Sequence, residues 1–200
     1  MDLDPSLVAS VNEEIARKER LQKRHYFMLS ELQNMARDLP GHFQQRIPYD
    51  MLSLLASSLL DETVFAILKN LEEIQQMTEK TLHEKRMRVI NAHTTAKQEL
   101  AKKHKDAIEA CRNRPHHLPV VKATFDREKR ALEQQIEEET KLMHQRLILE
   151  LDQKVSEQQV TLERAGVAGF YVTNNPQEVR LQMYLLDMMM KISKADLPPL

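Results

Sequence analysis

Three glycines, one cysteine and no tryptophan occur among the 200 residues, and aromatic side chains make up only 4%. With glycine this scarce, a glycine-rich phosphate cradle cannot be assembled. Neither Gly-x-Ser-x-Gly nor His-Glu-x-x-His occurs, so the common nucleophile and zinc-hydrolase signatures are missing. The single cysteine, Cys111, excludes an internal disulfide framework and suits a reducing compartment. No apolar run approaches the roughly 18 residues of a membrane-spanning helix. The amino end, Met1-Asp2-Leu3-Asp4-Pro5, is acidic and lacks an apolar stretch, so it does not read as a secretory signal. With a net charge of −1, no global field selects nucleic acid or an anionic membrane. These absences together point to a soluble intracellular chain without a catalytic constellation or cofactor.

Charge and helix formers are abundant instead. Charged residues are 30% of the chain, a balance typical of long helices and coiled coils. One helical stretch runs from about Glu62 to Cys111 and a second from about Pro119 to Ala165. Neither contains glycine, and neither contains proline beyond its first position. At 1.5 Å rise per residue each would be roughly 70 Å long. Helices of that length usually pair with another helix, and the seven-residue turn 112–118 between them predicts an antiparallel coiled-coil hairpin. Folding about Pro115 places Lys97 opposite Glu133, His93 opposite Glu137 and Val64 beside Gly166. The apolar seam of the first arm reads Val64, Ile67, Leu71, Ile74, Thr78 and Leu82, then thins through Val89, Ala92, Ala96 and Leu100. That of the second reads Val121, Phe125, Leu132, Ile136, Met143, Leu147, Leu151, Val155 and Leu162.

The flanking segments predict a small bundle. Asp4 and Pro5 start a first helix that ends at Leu39-Pro40-Gly41. A loop from His42 to Pro48 follows, and Asp50 is positioned to cap a short helix, Met51 to Leu60, apolar nearly all round. Asp61 caps the first long arm, and Gly166 ends the second in a left-handed conformation. Asn175-Pro176-Gln177-Glu178 reads as a capping box that opens a last helix to about Ser193. The expected fold is all-α: a small helical-bundle head with a long antiparallel coiled-coil hairpin stalk. Residues 1–200 form a single elongated domain, with head helices in 5–61 and the hairpin in 62–165. The connector and carboxy-terminal helix, 166–195, pack on the head.

Few residues invite chemistry. Cys111, His116 and His117 cluster at the turn in a spacing that matches no zinc pattern, so no metal site is expected. His83, His93 and His104 are too far apart to share an ion. Between Lys80 and Arg114 ten basic residues face four acids, and Lys102, Lys103 and Lys105 are the candidate polyanion contacts. The acidic run of the opposite arm, Glu133 to Glu139, offers a simpler partner for that charge. Nucleic acid is therefore disfavoured, and no aromatic residue is present there to stack bases. Phe170 and Tyr171, in the connector that carries Gly166 and Gly169, and Met188 and Met189 in the methionine-rich last helix are candidate contacts for a protein partner. Val179, Met183, Leu186 and Met190 are the expected core face of that helix, and Met188 its exposed one. Protein partners bound through the coiled coil or the last helix, with self-association among the options, are the expected ligands. Small-molecule substrates and membrane insertion are not expected.

Four stretches carry a resemblance to a known family. They are Phe43-Gln44-Gln45-Arg46, Leu60-Asp61-Glu62-Thr63-Val64-Phe65, His117-Leu118-Pro119-Val120, and the long irregular segment Leu151 to Glu178, LDQKVSEQQVTLERAGVAGFYVTNNPQE. The chain resembles, over about residues 20 to 195, the family of the gonadal protein gdl and the DiGeorge syndrome critical region six protein, with the insect gonadal branch favoured. The longer carboxy-terminal tail of vertebrate members has no counterpart here. The resemblance implies a developmental role, in gamete formation in insects and neural crest cell migration in vertebrates. It implies a nuclear location with cytoplasmic pools, and no catalytic residue or cofactor.

Overall fold

The computed structural model describes residues 5–199. Among them every regular element is helical: α1 (Pro5–Arg37), α2 (Gly41–Gln44), α3 (Tyr49–Ser58), α4 (Glu62–Ala110), α5 (Leu118–Arg164) and α6 (Pro176–Ser193). The all-α expectation holds. The expected cap Asp4 lies outside the described residues. By contact density the chain divides into two compact units, Met1–Glu73 with Val155–Leu200, and Ile74–Lys154.

The first unit is a bundle. Its core is built from Met28, Leu29 and Leu32 of α1, Leu52, Leu55 and Ala56 of α3, Val64 and Leu68 of α4, Leu162 of α5, and Leu185 and Met189 of α6. Helix α1 packs against both α3 and α6. The segment 42–48, expected as loop, contains the single turn α2. That turn buries Phe43, whose ring meets Tyr184 of α6 edge-on at 5.0 Å. Asp50 does not cap α3. The helix starts at Tyr49, two residues earlier than expected, behind Pro48, and Asp50 sits in its first turn, where a carboxylate still favours the positive helix end. Residues 8–20 of α1 stay outside the core, with Val8, Val11 and Ile15 exposed.

Local signals elsewhere act as expected. The Asp61 carboxylate accepts the Thr63 amide at 2.9 Å at the start of α4, and that bond holds its pKa below the ordinary value. Gly166 ends α5 at φ +72°. Its amide donates to the Glu163 carbonyl at 3.0 Å, and the Val167 amide reaches the Leu162 carbonyl at 3.1 Å. Those two bonds are the Schellman pattern, and the accompanying apolar contact comes from buried Val167 and Leu162.

The second unit is a pair of antiparallel helical arms. Two short 3-10 turns, Cys111–Asn113 and Pro115–His117, reverse the chain between α4 and α5. Lys85 reaches Glu150, His93 reaches Glu139, and Lys103 and His104 both reach Glu128. The pairing is offset from the expected register, in which His93 met Glu137. Every side chain leans toward the amino end of its own helix by about one residue position. On antiparallel arms the two leans add, so tips meet about two positions beyond the partner the backbone alone selects.

Candidate functional site

The connector between α5 and α6 is fastened to the bundle by buried amides. Gln159 of α5 and Gln182 of α6 are both buried. Gln159 Nε2 donates to the Gln182 Oε1 at 2.8 Å and to the Thr173 carbonyl at 3.1 Å. Its Oε1 accepts the Thr173 amide at 3.2 Å, and Gln182 Nε2 donates to the Tyr171 carbonyl at 2.9 Å. An extended segment without strand partners thus has its backbone satisfied by two side chains. Gly169 has φ +85°, and a Cβ placed there would lie 2.7 Å from the Leu185 Cδ1. Glycine is therefore required both for conformation and for close approach.

The candidate partner residues divide sharply. Phe170 is buried, while Tyr171 is 43% exposed. The Tyr171 hydroxyl donates to Glu178 Oε2 at 2.6 Å, and the Arg46 guanidinium pairs with Glu178 Oε1. Those bonds, from Tyr171 first and then Arg46, hold the Glu178 carboxyl below its ordinary pKa. Acceptance by Glu178 in turn raises the Tyr171 pKa. Glu178 therefore does not close a capping box. Asn175 caps α6 alone, accepting the Gln177 amide at 3.0 Å, and the Asn175 amide turns instead to the Thr173 hydroxyl.

Met188 and Met189 are corrections. Their relative exposures are 2% and 0%, so neither presents a surface to a partner. The buried face of α6 is Leu181, Leu185, Met188 and Ile192, while Met183, expected inside, is 65% exposed. Both faces have the same helical spacing, so periodicity alone could not choose between them. The choice follows from Gly169, which seats Leu185, and from the Gln159–Gln182 bond.

The polyanion candidates divide as well. Lys103 Nζ donates to Glu128 Oε1 at 2.8 Å. Lys102 and Lys105 are exposed and make no ion pair among the described residues. Lys102 and Lys105, three residues apart, share one face of α4, while Lys103 is turned toward Glu128 of the opposite arm. Ile74 and Leu151, expected in the seam, are exposed.

Sequence reasoning missed His104. It is 5% exposed, and its ring stands edge-on to Phe125 with centroids 3.6 Å apart. His104 Nε2 carries the proton given to Glu128 Oε2 at 2.9 Å, while Nδ1 is buried without a partner. Glu128 is held below its ordinary pKa, by Lys103 first and then His104. Glu139 is lowered likewise, by Gln135 first and then His93. The signal for these pairs was the basic arm facing the acidic arm. What was missing was the one-turn precision that decides which acid meets which base.

Among the described residues no three His, Cys, Asp or Glu side chains are placed to share a metal ion. Among the described residues no single helix is long and apolar enough to cross a membrane. An open groove of about 570 Å³ lies between the arms of the second unit, lined by Ala96, Leu100, Ala131 and Leu132 among others.

Paired long arms with an open groove define the class as an all-α protein built on a helical hairpin. The chain belongs to the family described as DiGeorge syndrome critical region 6 (DGCR6) protein, which it matches over residues 6–199. It is 50% identical over 177 residues to Protein DGCR6 of Gallus gallus, covering 88% of each chain. It is 37% identical over 184 residues to Gonadal protein gdl of Drosophila melanogaster, covering 90% of this chain and 86% of that one. Identity is thus higher to the chicken protein, against the leaning toward the insect branch. No solved structure matches.

Proposed function

We propose that this chain is a non-catalytic helical interaction protein acting in development, with its hairpin as the docking element. The carrying observation is the hairpin's surface. Its arms leave Met77, Met87, Ile148 and Leu149 exposed, while Leu82, His104 and Met143 are its buried side chains among the described residues. Apolar area in that excess is what a partner helix covers. The developmental setting is taken from the printed names of the relatives, one a gonadal protein and one of the DiGeorge critical region. Nuclear residence, with a cytoplasmic pool, belongs to the same proposal, as does action in a gonadal or embryonic tissue.

Capture from gonadal extract by the full-length tagged chain tests this. The expected result is a discrete protein partner that persists at high salt and is lost with Met87→Glu combined with Ile148→Glu. Recovery of nucleic acid alone, falling steeply with salt and abolished by Lys102→Gln with Lys105→Gln, would replace it with the polyanion reading.

A further inference from the structure

We infer that the connector between α5 and α6 is an open strand edge, which takes an extended, uncharged segment of a partner protein as an added β-strand. Residues 170–175 form no helix or turn, and none of them has a positive φ. In extended backbone the N–H and C=O of one residue share a side, and successive residues use opposite sides. The Tyr171 carbonyl and both backbone groups of Thr173 therefore lie on one edge. That edge is filled. Gln159 accepts from the Thr173 amide at 3.2 Å and donates to its carbonyl at 3.1 Å, as a neighbouring strand would. Gln182 donates to the Tyr171 carbonyl at 2.9 Å.

The other edge is open. The Val172 N–H and C=O and the Asn174 N–H make no hydrogen bond among the described residues. Tyr171, Val172 and Asn174 are exposed, Val172 at 53%. Backbone groups of that kind are what an incoming strand pairs with. The segment is also held ready for one. Gly169 seats it against Leu185, the two glutamines fix its far edge, and Asn175 turns it into α6. An occupant therefore has little ordering of the site to offset.

Hydrogen bonding, charge and size define the occupant. From Ala165 to Gln177 there is no charged residue, in a chain that is 30% charged. Native sheet edges are commonly guarded by lysine or another charge, and this one is not. Arg46 and Glu178, beside Tyr171, are paired with each other. The exposed Val172 side chain favours a β-branched or aromatic residue opposite it. A second folded copy would meet this edge over about five residues, against the roughly 20–30 a side of a stable interface. A flexible segment has no such requirement and follows the edge with its own backbone. The site lies in the bundle unit and does not depend on the hairpin docking proposed above.

A short capped peptide alternating Thr and Val, titrated into the full-length chain and followed by amide NMR, is the test. The Val172 and Asn174 amide signals should shift and exchange more slowly, with a Kd of about 1 mM. The same peptide N-methylated along both edges keeps its side chains and should bind about tenfold more weakly or worse. Val172→Pro should weaken binding by a similar factor without lowering the urea midpoint, since the deleted N–H bonds nothing within the chain. The methylated peptide needs no variant, so it decides the matter if the proline disturbs the connector. Equal binding of the methylated peptide overturns the inference, as does an absence of binding at about 10 mM. A dimer of the chain that Val172→Pro dissociates would give the edge to a second copy and overturn it too. Met87→Glu with Ile148→Glu should leave peptide binding unchanged. A hairpin that captures no protein, in a chain that still binds the peptide, would remove the docking proposal alone.

Discussion

The bundle unit and the hairpin unit are made from the same two long helices, yet they are held together differently. Around Leu68 and Leu162, α4 and α5 are joined by α1, α3 and α6, and these leucines are 0% exposed. Beyond Ile74 the same helices have only each other, and among the described residues burial is confined to Leu82, His104 and Met143. Fully burying a large apolar side chain contributes about 1.5–3 kcal/mol. A bundle collects many such terms, because several helices enclose a volume. A hairpin collects few, and adds cross-arm ion pairs that individually contribute little at an exposed surface. The bundle is thus specified by shape and the hairpin by seam and charge.

The sharpest way to break the contrast is Met188→Glu. It places a carboxylate in the bundle core at a site 2% exposed. The expected loss is about 3 kcal/mol or more, read by urea unfolding followed by circular dichroism, with Met188→Leu as a mild control. If stability survives, the buried face of α6 is misassigned. Next is Gly169→Ala, which meets the Leu185 Cδ1 at 2.7 Å and adds a left-handed penalty. About 2 kcal/mol should be lost in the same assay. Gln159→Leu removes three hydrogen bonds to Thr173 and Gln182 and leaves the Thr173 amide unsatisfied. A loss of about 1–2 kcal/mol is expected, with faster amide exchange confined to the connector. A result near zero would mean that water replaces the clamp.

Acid should separate the two units. Glu128 and Glu139 are held below the ordinary glutamate pKa in the folded hairpin. A depressed carboxylate contributes its stabilisation above the unfolded value, about pH 4 to 5, and loses it as pH falls through the lower folded value. Lowering pH from 6 toward 3 should therefore loosen the arms, seen as a broadened distance between spin labels across them. Glu178 in the bundle is lowered in the same direction, but the apolar core around it does not titrate. Equal loosening of both units would contradict the division into charge-held and core-held parts. The smallest effect is expected for Met183→Gln. At 65% exposure it should change stability by no more than about 0.5 kcal/mol, in contrast to its neighbour Met188.

Much of the candidate site was readable only in pieces. The connector could be found because Gly166, Gly169 and the Asn175-Pro176 helix start stand out in a chain with three glycines. Its fastening could not. Gln159 and Gln182 are ordinary helix residues until they are seen bonded to each other and to residues 171 and 173. Arg46 and Glu178 lie 132 residues apart in the chain, and no local pattern joins them.

The sequence by itself determined whatever depends on a few adjacent residues. Asp61 and Asn175 cap because their own amides two residues ahead need an acceptor. Gly166 ends α5 because a left-handed residue costs least there, and the absence of glycine and proline inside α4 and α5 lets both run unbroken. Tertiary structure decided what depends on a choice among equivalent faces. An apolar helix such as α6 has several stripes of equal spacing, and only the neighbours that Gly169 and Gln159 fix in place selected Met188 for the core and left Met183 outside. The same holds in the hairpin, where composition matched a basic arm to an acidic one. The lean of side chains along two opposed helices then set which glutamate each histidine reached.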